Sequence, residues 1–341
     1  KTLFPYTTLF RSPTNKGSLE NLARYSNHGP TFDGRIKPDI VAPGTVIGAT
    51  ENDDDQNSSS YNSNYTSATA KDAAVNPDDP NNNSTLTEDV ASGTSFSSPV
   101  VAGGALLARQ YFTDGFYPSG AKNVANSFIP SNALIKAVIL NSGRNLTGRF
   151  TASNYPINKS GALPNSGQGW GRIALDDALY FAGDRRELKV LADIWNGATA
   201  TDSTRPATNA AITTGQTQTY QITNVSNVEP LRITLAWSDP RAAIGAVVAL
   251  VNNLNLEVTD PQGNVFRGNV NFKDGWSQAV GTSMFDNRNP LEAVYIQNPI
   301  PGTYTVRVIG ETVPGNGRTQ ITAQPGEIGR ASCRERVSSP V

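Results

Sequence analysis

The sequence predicts an α/β domain followed by an all-β domain of the jelly-roll sandwich kind. Residues 13–183 mix short apolar runs with helical periodicity, whereas residues 184–326 alternate apolar and polar side chains with a period of two. Turn-forming residues separate the alternating runs, and no helical pattern intervenes between them. A length of 341 residues is sufficient for two domains.

The two ends of the chain are excluded from this fold prediction. Residues Thr2–Ser12 read TLFPYTTLFRS and residues Glu327–Val337 read EIGRASCRERV. The first is identified as the translation of a common short-read sequencing adapter, and the second as the translation of its reverse complement. We therefore expect residues 1–12 and 327–341 to be adapter-derived. Cys333, the only cysteine, lies in this excluded part and supports no disulfide or thiol chemistry.

One strand and two helices are predicted in the first domain. Asp39–Ala42 is a short apolar run that ends at Pro-Gly, and Val100–Phe112 is apolar over most of its helical circumference. Such a helix is expected to lie buried inside a larger protein. Gly103 and Gly104 within it predict the close approach of another backbone. Ser131 precedes an apolar stripe at helical spacing and predicts the N-cap of the second helix.

Residues 51–88 interrupt the first domain with a long polar segment. The segment is rich in Asn, Asp, Ser and Pro and has almost no aliphatic residues. It cannot bury enough apolar surface to offset its ordering entropy. We therefore expect a long surface loop inserted into the domain.

Alternating segments predict the strands of the second domain, each with one buried face. They are Leu231–Trp237, Leu254–Val258 and Tyr304–Val308, with turns at Asp260–Asn264 and Asn298–Gly302. Several strands in succession without helices predict an antiparallel sandwich.

Candidate chemistry is concentrated in Ala91–Ala105, which reads ASGTSFSSPVVAGGA. Ser95 follows Gly-Thr where a loop enters a helix, and Pro99 is predicted to lie in the first helical turn. This placement exposes the Ser95 hydroxyl at the positive end of a helix. The Ser95 backbone N–H, with Thr94 beside it, can there support a developing oxyanion. Gly-Thr-Ser taken alone is better explained as an ordinary N-cap.

The full run resembles the nucleophile signature of the subtilisin-like serine protease (subtilase) family, which is Gly-Thr-Ser, two residues, Ser/Thr-Pro, two residues, Ala-Gly. Tyr25–Gly44 is similar to the segment leading into that family's Ala-Pro-Gly turn, and Gly169–Ile173 resembles its Gly-x-Gly closing element. The second domain is similar to the C-terminal domain of subtilases related to oxidation-stable alkaline proteases. The resemblance spans nearly all of residues 13–326. It implies the C-terminal part of a parallel-sheet catalytic domain with Ser95 as nucleophile, followed by a β-sandwich.

The same resemblance implies partners for Ser95 that this sequence does not supply. The mechanism needs a His base, an Asp that orients it and an Asn side chain at the oxyanion. His28, the only histidine, lies in a Ser-Asn-His-Gly-Pro context and is interpreted as an ordinary surface or loop residue. We expect the catalytic Asp, His and Asn upstream of Pro13, and we expect this chain alone to be inactive. We also expect its protease part to fold poorly and the sandwich to be the more independent unit.

The function implied by the resemblance is hydrolysis of polypeptides by a secreted, monomeric serine endopeptidase that requires no cofactor. Its extracellular location is inferred from the family, with any signal peptide outside this fragment. A net charge of −1 gives no indication of nucleic-acid binding. The apolar run Ala242–Val251 is too short to span a membrane. Two alternatives are a non-catalytic pseudoprotease or binding protein that uses the sandwich, and a different hydrolase using the same serine.

A structural calcium ion is a further expectation without an assigned site. Related sandwich domains bind calcium through turn carboxylates. Here Asp239, Asp260, Asp286 and Glu292 are hard oxygen ligands of the right kind.

Overall fold

The computed structural model describes residues 21–23, 25–44, 47–50, 88–91, 93–147, 163–194, 212–281 and 284–315. The predictions made for the two chain ends lie outside these residues. So does the predicted loop insertion, apart from Glu88, which begins a strand. The predicted domain limits at residues 183 and 184 stay a prediction.

The first part of the chain contains a short antiparallel strand pair and two α-helices. Their bounds are β1, Ile47–Thr50; β2, Glu88–Ala91; α1, Thr94–Thr113; and α2, Asn132–Asn141. Ile47 pairs with Ala91 and Thr50 pairs with Glu88. Strand β2 ends three residues before the start of α1.

Helix α2 begins where its predicted cap lies. The Ser131 hydroxyl oxygen accepts a hydrogen bond of 3.0 Å from the Leu134 backbone N–H, which has no acceptor within the helix. Buried side chains of α2, including Val138 and Ile139, then pack against Tyr111 and Phe112 of α1. The two helices thus share one hydrophobic cluster.

The predicted strand at Asp39–Ala42 is reduced to a single parallel bridge. Val41 pairs with Arg172, and its backbone N–H donates to the Gly171 carbonyl at 2.9 Å. Gly169 has a φ of 58°, and a Cβ there would lie 1.9 Å from the Pro38 carbonyl oxygen. The Gly-Trp-Gly segment therefore fits closely beside the chain that leads to the Pro-Gly turn. Among the described residues, this bridge is the extent of the predicted parallel sheet.

Antiparallel strands form the second part of the chain, as the alternating pattern predicts. Their bounds are β3, Thr217–Val225; β4, Leu231–Ala236; β5, Asn253–Thr259; β6, Val265–Arg267; β7, Phe272–Lys273; β8, Trp276–Ser277; β9, Leu291–Ile296; and β10, Gly302–Thr312. One sheet has the order β3-β10-β5-β6, while β4 pairs with β9 and β7 pairs with β8. The four-stranded sheet and the β4-β9 pair share a hydrophobic cluster that includes Leu256, Val294 and Val306. A jelly-roll topology stays a prediction.

Two strands are buried on both faces: β5, for which alternation predicts a single buried face, and β9, which lies outside the predicted strands. On β5, Asn255 and Glu257 are buried as well as Leu256. All six residues of β9 are buried, because one of its faces packs on the shared cluster and the other on residues of the first part. Alternation alone does not reveal a second covering layer.

A further cluster joins the two parts of the chain. Leu140 and Trp170 from the first part pack with Leu291, Ala293 and Tyr295 from β9. The Trp170 and Tyr295 rings meet edge to face, with centroids 5.5 Å apart. In the part of the chain that the structure describes, no helix is both long and apolar enough to cross a membrane.

Candidate active site

Ser95 is the second residue of α1. The helix begins at Thr94 after Gly93, and both Thr94 and Ser95 are exposed. The first backbone N–H groups of a helix have no acceptor within it, and the helix dipole makes this end positive. The predicted nucleophile therefore lies at an accessible helix N-terminus with amide donors beside it.

Pro99 does not lie in the first turn of α1. Because the helix begins at Thr94, Pro99 is its sixth residue and lies inside it. A residue at this position would normally donate its backbone N–H to the Ser95 carbonyl, but proline has none. The carbonyl of the predicted nucleophile therefore lacks its helical hydrogen-bond donor.

The two glycines of α1 have different surroundings. A Cβ on Gly104 would lie 2.6 Å from the Ile173 Cδ1 atom, whereas a Cβ on Gly103 would meet no described atom within 4 Å. The prediction that both admit another backbone is wrong for the described residues. Only Gly104 is closely approached, and its neighbour is a side chain.

Helix α1 is buried on one side only among the described residues. Ala108 and Phe112 are fully buried, whereas Val100, Leu106 and Leu107 are 39%, 67% and 38% exposed. The predicted burial of α1 is therefore found on one face of the helix, and its other face is exposed among the described residues. The exposed face begins near Ser95 and carries the bulkiest aliphatic residues of the helix.

Gly44, in the segment that precedes β1, is hydrogen-bonded to the start of α1. The Gly93 backbone N–H donates to the Gly44 carbonyl at 2.7 Å, and the Tyr25 hydroxyl donates to the same oxygen at 2.7 Å. A Cβ on Gly44 would lie 2.1 Å from the Ser97 Oγ atom and 2.8 Å from the Gly93 carbonyl oxygen. Gly44 therefore lies directly against the first turn of α1. The sequence analysis assigns no role to Tyr25. The one sequence feature that could have pointed to it is its position as the first residue of the Tyr-Ser-Asn-His-Gly-Pro run.

His28 lies on a different segment from Ser95. Its side chain is exposed, and the next residue, Gly29, donates its backbone N–H to the Ser166 carbonyl at 2.9 Å. This position agrees with its interpretation as a loop residue. The Asp, His and Asn predicted upstream of Pro13 lie outside the described residues.

The four candidate calcium ligands are engaged by backbone donors. A backbone N–H directs its hydrogen at the carboxylate oxygen that a cation would need. In the described part of the chain, no three His, Cys, Asp or Glu residues converge on one point. The four carboxylates therefore have hydrogen-bond donors of their own, and a structural calcium ion stays a prediction without an assigned site. Their N–H donors are Val251 and Asn252 for Asp239, Gln262 and Asn264 for Asp260, Arg288 and Asn289 for Asp286, and Leu256 for Glu292.

Comparisons with known proteins identify the family that the first part of the chain resembles. Residues 14–171 match a family model described as the Subtilase family. The chain is 30% identical over 314 residues to the Serine protease/ABC transporter B family protein tagD of Dictyostelium discoideum, which covers 86% of this chain and 16% of that relative. It is 28% identical over 317 residues to tagB of the same organism, with the same two coverages. The chain therefore spans about one sixth of the length of these relatives.

Proposed function

Residues 14–171 of this chain belong to the subtilase family, and from that premise we propose that the chain is part of a serine endopeptidase whose nucleophile is Ser95. One observation carries the proposal. Ser95 is exposed in the first turn of α1, beside backbone amides that have no acceptor within the helix. The family implies polypeptide substrates.

The proposed reaction forms an acyl-enzyme on Ser95. The Ser95 Oγ atom attacks the carbonyl carbon of the scissile peptide bond while a base takes the hydroxyl proton. The Ser95 backbone N–H donates to the developing oxyanion, with Thr94 beside it. The C–N bond then breaks, the proton passes to the leaving amine, and water hydrolyses the ester to restore the hydroxyl.

A base for this reaction is proposed to come from outside the present chain. His28 is the only histidine, and it lies on a different segment from Ser95. Without a base, Ser95 stays a protonated and weak nucleophile. We therefore propose that the chain alone is inactive, and that the Asp, His and Asn of the mechanism belong to upstream segments.

We propose an extracellular, monomeric protease in which the β-rich second part stabilises the catalytic part or positions substrate. The packing of Leu140 and Trp170 against Tyr295 supports the stabilising role, because it joins the two parts through buried side chains.

The proposal is tested by labelling and peptide hydrolysis. The source locus is read upstream of Pro13, and the longer protein is expressed beside the 341-residue chain. We expect a fluorophosphonate probe to label the longer protein at Ser95 and the longer protein to cleave a fluorogenic peptide. Ser95→Ala is expected to remove labelling and to lower kcat by at least about 1,000-fold. The 341-residue chain is expected to show neither activity.

Ser119→Ala is the matched control, since Ser119 is an exposed serine of the first part that lies outside the nucleophile signature. It should retain both labelling and hydrolysis. If the upstream sequence has lost the Asp or the His, and the longer protein is not labelled, the alternative of a non-catalytic binding protein replaces this proposal. Labelling at another serine would show that a different site carries the activity.

A further inference from the structure

We propose that Tyr25 is a positioning residue, whose hydroxyl holds the Gly44 carbonyl and thereby sets the position of the first turn of α1. The inference rests on the proposed function, because the residue being positioned is Ser95. Tyr25 acts on the nucleophile indirectly, through two backbone groups at Gly44 and Gly93.

The Gly44 carbonyl oxygen is a shared acceptor. Tyr25 Oη donates to it at 2.7 Å, and the Gly93 backbone N–H donates to it at the same distance. A carbonyl oxygen has two lone pairs, so these donors satisfy it completely. The orientation of this carbonyl is therefore fixed from two sides.

The position of Gly44 is sterically coupled to that of α1. A Cβ on Gly44 would lie 2.8 Å from the Gly93 carbonyl oxygen and 2.1 Å from Ser97 Oγ. Only a residue without a side chain allows this contact. A small shift of Gly44 would therefore be transmitted to the residues on either side of Ser95.

The distance along the chain from Gly93 to the nucleophile is short. Gly93 is the N-cap residue of α1, and its carbonyl accepts from the Phe96 N–H at 3.1 Å. Ser95 lies between the two residues that this bond joins. Catalytic groups must be held to within about 0.5 Å of their productive geometry. A hydrogen bond that restrains Gly93 therefore bears on the Ser95 amide and hydroxyl.

One substitution distinguishes the effect of the Tyr25 hydroxyl from that of the Tyr25 ring. The Tyr25 side chain is 40% exposed, so it is only partly a packing residue. Tyr25→Phe retains the ring and removes the donor to Gly44. If Tyr25 acts only by covering neighbouring side chains, this variant should behave as the original chain does.

Amide hydrogen exchange on the 341-residue chain gives the first test. Tyr25→Phe is expected to speed exchange of the Gly93 amide about fivefold, the change that loss of one typical hydrogen bond produces. The Trp170 amide, which donates to the Asp39 carbonyl in the buried closing segment, should be unchanged. Unchanged Gly93 exchange would overturn the proposal, and so would a uniform increase at both amides.

Tyr220→Phe is the matched control for the loss of a tyrosine hydroxyl. Tyr220 donates to Gln218 on β3, in the second part of the chain. Its substitution should leave Gly93 exchange unchanged. A similar increase in both variants would show a general effect of tyrosine substitution and would overturn the proposal.

Kinetics on the longer active protein test the consequence for Ser95. We expect Tyr25→Phe to lower kcat by about threefold to tenfold with KM unchanged, because the oxyanion donor matters most in the transition state. An unchanged kcat beside faster Gly93 exchange would overturn the positioning role. If the original longer protein is itself inactive, the proposed function fails, while the exchange experiment still decides whether Tyr25 holds the start of α1.

Discussion

At the scale of single residues, Glu292 is an unusual buried acid. Its side chain is fully buried on β9, and its Oε2 atom accepts from the Leu256 backbone N–H at 2.6 Å. Its Oε1 atom has no hydrogen-bond partner among the described residues. Burial raises the pKa of Glu292 well above its usual value of 4.5, although the Leu256 bond acts in the opposite direction. The folded chain therefore favours the neutral carboxyl.

The raised pKa of Glu292 makes the free energy of unfolding depend on pH. Because the folded state holds the Glu292 proton more tightly than the unfolded state, the free energy of unfolding falls as pH rises above 4.5. Glu292→Gln keeps the acceptor for Leu256 but cannot ionise. We expect the variant to be about 1–3 kcal/mol more stable than the original chain at pH 8, with the difference shrinking towards pH 4. Urea unfolding between pH 4 and pH 8 measures this.

Glu187→Gln provides the control, because Glu187 is an exposed glutamate. Its effect should stay within about 0.5 kcal/mol and vary little with pH. A Glu292→Gln variant that is less stable than the original chain at pH 8 would show that the ionised carboxylate is favourable in the folded state.

At the scale of elements, α1 combines two requirements. Its N-terminus must present Ser95 to solvent, while Ala108, Tyr111 and Phe112 must pack against α2. The adjacent glycines lie between these regions, where one neighbours the Ile173 side chain and the other is open among the described residues. They therefore contribute differently to the helix.

Alanine substitutions at the two glycines distinguish these roles. Gly103→Ala is expected to raise the free energy of unfolding by about 0.5–1 kcal/mol, because alanine is the better helix former and the new Cβ meets no neighbour. Gly104→Ala should gain less or lose stability, since its Cβ would lie 2.6 Å from Ile173 Cδ1. Thermal unfolding of the two variants is compared directly. Equal stabilisation by both would show that Ile173 moves aside at no cost.

At the scale of the whole molecule, β-strand side chains cap the end of α2. Arg232 Nη1 donates to the Asn141 and Gly143 carbonyls at 3.2 and 3.1 Å, and Tyr295 Oη donates to the Leu140 carbonyl at 3.2 Å. The last carbonyls of a helix have no N–H donors within it, and a cation is favourable at this end. The second part of the chain therefore supplies hydrogen-bond donors to the C-terminal end of α2, a helix of the first part.

A second set of bonds joins the two parts near Asp33. Its carboxylate accepts from the Ala249 backbone N–H at 3.1 Å, and the Ile36 N–H donates to Asn289 Oδ1 at 2.8 Å. The hydrogen bond from Thr31, followed by those from Arg35 and Ala249, outweighs burial and lowers the pKa of Asp33 to about 2. Stability from ionised Asp33 is therefore present above pH 3.8 and is lost as pH falls towards 2.

These contacts argue against an independently folding second part. We expect one cooperative urea transition for the chain, with tryptophan fluorescence and circular dichroism changing together. Arg232→Ala should lower the free energy of unfolding by about 2–4 kcal/mol and separate the two signals, since it leaves helix carbonyls unpaired at the junction. Arg241→Ala, at an exposed arginine, should change stability by less than about 0.5 kcal/mol. Two separate transitions in the original chain would contradict this coupling.

Local patterns account for the features that sequence reasoning predicted correctly. The start of α2 follows from Ser131 before an apolar stripe, and β4, β5 and β10 follow from alternation. The placement of Ser95 where a loop enters a helix also depends on nearby residues alone. Helix caps and strand periods are interactions between residues close in the chain, so a short window of sequence contains them.

Residue patterns within short segments predict α2, β4, β5, β10 and the place of Ser95 at a helix start. Three contacts follow instead from the arrangement of distant segments: Gly104 meets Ile173, β9 is covered on both faces, and Tyr25 reaches the Gly44 carbonyl. Packing and capping between distant segments depend on how complete elements are placed. No residue spacing in a single segment specifies that placement.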